Sequence, residues 1–143
     1  VLLAVEMAVA LVTMAPVARL AERVGLVRVV GLGFAVYAVF PALIVAAPAD
    51  AAVYALLFAV SGLRFAGLPA HKALIVGPAE ADAGGRVTGS YYLVRNAVTI
   101  PSAAVGGWLY GVDPRLAFGL ATVVGLVGTG YFLVRGEEFA AYA

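Results

Sequence analysis

The run from Val29 to Ala47 contains no charged residue, and the other long apolar runs of the chain carry one charge or none. This feature most restricts what the chain can fold into. A soluble domain draws roughly a quarter of its residues from Asp, Glu, Lys and Arg, because its surface has to be covered. Here the charged share is 12% and the hydrophobic share 64%, with a mean hydropathy of +1.06. The sequence therefore calls for lipid as its solvent. Continuous helices are the open-ended way to cross lipid, since each segment then satisfies its own backbone amides. The runs lack the two-fold alternation of a membrane barrel. The expected fold is all-α, a polytopic transmembrane helical bundle of about five membrane helices formed by residues 1–143.

Length and punctuation place those helices at about 1–20, 29–47, 51–72, 87–110 and 115–134. Pro48 and Asp50 close the second, the linker PAEADAGGR separates the third from the fourth, and GVDP turns the fourth into the fifth. The chain opens on an apolar Val1 with no basic region or cleavage signal, so the first run is not a secretory leader. Its shortness against a roughly 30 Å hydrocarbon core suggests a helix entered part-way, with sequence missing upstream.

Basic residues in short loops set orientation. Arg19, Arg23 and Arg28 follow the first run, and His71, Lys72 and Arg86 follow the third. The opposite loops hold only Arg115. The expected location is a cell membrane, multi-pass, with these arginines and the C-terminus cytoplasmic.

Several function classes drop out. A net charge of +1 offers no basic face for nucleic acid. No cysteine and a single histidine leave no thiolate or multi-histidine metal site, and no cofactor is implied. Residues 31–34, GLGF, lack the third glycine and acidic partner of a dinucleotide loop. The surroundings of Ser61 are not a nucleophile elbow. No catalytic residue is assigned, and an enzyme is not expected.

Residues 18–28, ARLAERVGLVR, concentrate three arginines and a glutamate. Their order resembles the cytoplasmic loop signature of the major facilitator superfamily, approximately G-x-L-a-D-r-x-G-r-r-r. Leu20, Ala21, Arg23 and Gly25 match it, Glu22 stands in place of the Asp, and Arg28 keeps a late basic position. Ala18, Leu26 and Val27 depart from it. The later stretch LRFAGLPAHKALIVG, followed by Gly85-Arg86, Gly89, Pro101, Gly106, Gly107 and Leu109, is similar to that family's tenth and eleventh helices with their loop. The resemblance covers essentially the whole chain as helices eight to twelve of a carrier. It implies a partial major-facilitator fold, a missing N-terminal half as partner, and a small-molecule solute moved by alternating access. It also implies a gating latch at Glu22, Arg23, Gly25 and Arg28; solvated loop charges are the plainer reading of the same residues. A non-transporting membrane-embedded binding or assembly subunit is the alternative function.

Three ionisable residues interrupt the apolar runs. Each costs about 2.5–3.5 kcal/mol at a helix centre, which drives it towards a cavity or a partner. Glu6 is a candidate to bind a proton or cationic group and so couple transport, or else to pair with an arginine of a neighbouring helix. Arg64, two turns before Lys72, is expected to snorkel to the cytoplasmic interface or cap backbone. Arg95 lies nearer the middle of its run. There Thr88, Tyr92, Arg95, Thr99, Ser102 and Gly106 recur at helical spacing, widened by Tyr91 and Asn96. Tyr92, Arg95, Asn96 and Thr99 are the candidate pathway residues, with interhelical hydroxyl bonding as the competing role. Pro41, Pro69 and Pro101 are candidate flex points, Gly107 and Gly111 a candidate close-packing pair with Gly125, Gly128 and Gly130 in the same role on the last run, and Trp108, Tyr110 and Tyr131 candidate interface anchors.

Overall fold

A computed structural model describes residues 1–77 and 83–137. The described residues form an all-α bundle of six helical segments without a strand: α1 Leu2–Val24, α2 Leu26–Ala46, α3 Ala51–Ala66, α4 Leu68–Val76, α5 Gly84–Val112 and α6 Pro114–Arg135. Helices α1, α2, the α3–α4 pair and α6 are each long and apolar enough to cross a membrane. The α5 helix has the length, with 29 residues, but its Arg, Asn, Ser and Thr content keeps it out of that apolar set. The middle of the linker and the C-terminus, which the sequence assigns to the cytoplasmic side, lie outside the described residues.

The charged stretch is not an open loop. Helix α1 runs through Arg19 and Arg23 to Val24, and α2 begins at Leu26. Gly25 alone makes the turn, at φ 98°, a conformation that side chains with a Cβ adopt at a cost. The turn is tight because Leu26, Val27, Val29 and Val30 immediately bury. Leu26, Val29 and Val30 form a core with Ala21 and Ala70, flanked by Val17, Phe34, Leu74 and Phe132.

The third crossing is broken rather than straight. Pro69 falls in the first turn of α4 and cannot continue the ladder of α3, so α3 ends at Ala66 and Gly67 bridges the two. Pro69 is thus a helix-start proline, whereas Pro16, Pro41 and Pro101 lie inside α1, α2 and α5. Together α3 and α4 make a 26-residue span, Ala51–Val76. Asp50 caps α3 by accepting from the amides of Ala52 (2.8 Å) and Val53 (3.1 Å). Asp113 caps α6 by accepting from that of Arg115 (2.8 Å). Each cap satisfies amides that have no partner within their own helix.

Helix α1 packs along α3, and α2 packs along α6 while also touching α1, α3 and α4. Small residues set these approaches. A Cβ at Gly125 would stand 2.8 Å from Cβ of Ala38 across the α2–α6 seam, and one at Gly31 would collide with Leu133. Gly107 and Gly111 instead face open space; the close packing expected of them occurs at Gly31, Gly62 and Gly125. Helix α5 lies at the edge against α4 and α6, and none of its residues is buried. Trp108, Tyr110 and Tyr131 are all exposed.

Candidate functional site

The most polar spot in the bundle interior lies between α1 and α3. Ser61 and Arg64 are three residues apart and so share a face of α3. Glu6 of α1 meets that face. The close approach depends on Gly62, where a Cβ would stand 2.6 Å from the carbonyl oxygen of Glu6 and 2.9 Å from Cβ of Val9.

Glu6 is only 3% exposed and Ser61 fully buried. One carboxylate oxygen, Oε1, accepts from both the Ser61 hydroxyl and Nη2 of Arg64, the latter at 3.0 Å. This is the ion pair of the described residues. The guanidinium is further held by ring faces: its Cζ lies 4.5 Å from the centre of Phe65, 4.9 Å from Tyr37 and 5.6 Å from Phe40. Such cation–ring contacts contribute about 0.5–2 kcal/mol each, more as water is removed. Its Nε–H is buried without an acceptor. The guanidinium therefore keeps donor capacity beyond its single bond to Glu6.

Arg64 corrects a sequence-based expectation. Counting back to Lys72 suggested the inner leaflet and a snorkelling side chain. In the structure the Arg64 side chain instead turns into the bundle and pairs with Glu6. For Glu6, of the two roles considered, the structure contains the pairing with an arginine of a neighbouring helix.

The remaining candidates lie elsewhere. Tyr92, Arg95, Asn96 and Thr99 are exposed on α5, away from Glu6. Thr99 and Ser102 donate back to the carbonyls of Arg95 and Val98, at 2.8 and 2.7 Å. Their hydroxyls thus serve their own helix. Arg95 stands over the ring of Tyr92 at 5.9 Å. On its α4 side this helix meets the bundle through Tyr91, whose hydroxyl shares a 3.2 Å hydrogen bond with Nε2 of His71. His71 also stacks edge-on with Phe34, which stacks in turn with Phe132. Glu22, Arg23 and Arg28 are exposed around the Gly25 turn.

A crevice of about 310 Å³ opens between α2 and α6, lined by Phe34, Tyr37, Ala38, Gly125, Gly128 and Thr129. Tyr37 is common to this crevice and to the Arg64 cage. Thr129 is buried but bonds its own helix at the Gly125 carbonyl (2.8 Å). Among the described residues no group of three His, Cys, Asp or Glu side chains gathers for a metal.

Sequence reasoning did not single out Ser61 as a partner, nor Tyr37, Phe40 and Phe65. A usable signal was present: two opposite charges in separate apolar runs, with a hydroxyl one turn from one of them. Comparison with family models, curated proteins and solved structures returns no match.

Proposed function

We propose that this chain is part of a secondary active transporter of major-facilitator type, moving a small solute by alternating access. The observation that carries the reading is the Glu6–Ser61–Arg64 cluster, buried at the middle of an apolar span. Burying two charges is costly, and a purely structural contact is made as well or better by apolar side chains. Ionisable groups at that depth are the usual currency of solute and proton pathways. The resemblance of residues 18–28 to the superfamily's gating loop supports the same reading.

In this scheme Glu6 couples transport by exchanging a proton, and Arg64 is the partner released when it does. Tyr92, Arg95, Asn96 and Thr99 form the solute-facing wall, completed by the N-terminal half of the carrier. Glu22, Arg23, Gly25 and Arg28 gate the cytoplasmic side of this multi-pass protein of the cell membrane, the side that also holds the C-terminus. Helix α5, none of whose residues is buried, also favours a second reading, a non-transporting membrane-embedded binding or assembly subunit whose α5 seats on a partner.

The chain's lack of cysteine permits a direct test. Thr99→Cys in the complete carrier, treated with an impermeant maleimide from each side, is expected to react from both sides, at rates that change oppositely when solute is added. Reaction from neither side, or from one side only regardless of solute, contradicts transport and favours assembly.

A further inference from the structure

At the end of α1, Pro16, Arg19, Leu20 and Arg23 line a shallow groove of about 260 Å³. Arg19 and Arg23 are one helical turn apart, so both side chains project on the same side of the helix. Both are exposed, and neither has a carboxylate partner among the described residues. Glu22, three residues after Arg19 and next to Arg23, is an exposed neighbour of both but forms no ion pair with either among the described residues. Between the guanidinium groups the groove is apolar: Leu20 is 42% exposed and Pro16 is exposed beside it. The groove stands at the end of α1, beside the Gly25 turn, where a membrane-spanning helix is expected to reach the headgroups.

We infer that this groove is a binding site for an anionic phospholipid. The phosphate sits between Arg19 and Arg23, whose planar, forked donors suit phosphate oxygens, and the first methylenes of an acyl chain cover Leu20 and Pro16. A free phosphate would satisfy the arginines but leave the apolar floor in water, so the observations favour the lipid. An anionic headgroup is favoured over a zwitterionic one because the site brings two positive charges against the single carboxylate of Glu22. Neither the buried Glu6–Arg64 pair nor the transport reading is required for this.

The test is lipid retention by the whole chain in detergent micelles, read by native mass spectrometry with phosphatidylglycerol and phosphatidylcholine supplied as competitors. Phosphatidylglycerol is expected to be retained preferentially. The double variant Arg19→Gln/Arg23→Gln should lower its retention roughly 25-fold, on the order of fivefold per arginine. Arg28→Gln/Arg135→Gln removes the same charge from the same end of the bundle but outside the groove. It should leave retention within about twofold of the unsubstituted chain. Circular dichroism of each variant checks that the helices persist. Equal loss in both double variants would overturn the site in favour of a diffuse field. Failure to prefer phosphatidylglycerol, or its displacement by inorganic phosphate at matched concentration, would overturn the lipid assignment.

Discussion

Gly62 and Glu6 meet backbone to backbone: a Cβ on Gly62 would stand 2.6 Å from the carbonyl oxygen of Glu6. This approach brings the Glu6 carboxylate within reach of Ser61 and Arg64. Gly62→Ala is therefore expected to push α1 from α3, costing about 1–3 kcal/mol as an overpacked contact. Gly107→Ala, which meets nothing within 4 Å, should be neutral or slightly stabilising. Thermal unfolding in one detergent distinguishes them, and equal behaviour of the two variants would show that the α1–α3 seam is looser than described.

The buried pair should respond to its two halves unequally. Arg64→Met alone leaves the Glu6 carboxylate buried and uncompensated, at an expected cost of about 3–5 kcal/mol. Adding Glu6→Gln removes that charge and should recover a large part of the loss. Denaturant unfolding of the two single variants and the double variant gives the coupling directly. Additive losses would mean that the two side chains do not share a contact.

Ser61 donates to the same oxygen as Arg64, so Ser61→Ala removes one of two donors to a buried carboxylate. The expected loss is about 1–3 kcal/mol. Ser61→Thr keeps the hydroxyl but adds a methyl group at a fully buried position, and should also destabilise, by overpacking. A stability unchanged by Ser61→Ala would place the hydroxyl outside the cluster.

The caps offer a local check on the fold. Asp50→Ala frees the amides of Ala52 and Val53 and should cost about 0.5–2 kcal/mol. Hydrogen exchange should then accelerate in the first turn of α3 while α6 keeps its protection. Asp113→Ala should do the converse, and uniform exchange across both helices would contradict the assigned boundaries.

What the sequence made legible, and what it hid, follows from the range of each interaction. Helix identity is local: apolar length, Asp50 and Asp113 as caps, and the GVDP turn fix α2, α3 and α6 without tertiary information. The Gly25 turn was visible as a break but read as a longer loop, because exposed arginines look alike in a loop and on the last turn of a helix. The snorkelling expected of Arg64 failed because its partner Glu6 lies on another helix, 58 residues away in sequence, and the spacing to Lys72 carries no information about that contact. The partnership of Glu6 with Arg64 joins residues far apart in sequence, so composition marked both charges as costly without saying that they meet. Of the glycines expected to pack closely, Gly125 does so against Ala38, whereas Gly107 and Gly111 have the motif spacing but meet nothing within 4 Å among the described residues.

The account rests on lipid surrounding the bundle, with Arg64 at mid-depth and turned inward. Its exposed neighbour Leu63 reports that depth. The chain carrying Leu63→Cys, spin-labelled and reconstituted into liposomes, is predicted to collide readily with dissolved oxygen and scarcely with a polar nickel chelate. Strong collision with the chelate and weak collision with oxygen would put this position in water and contradict the account.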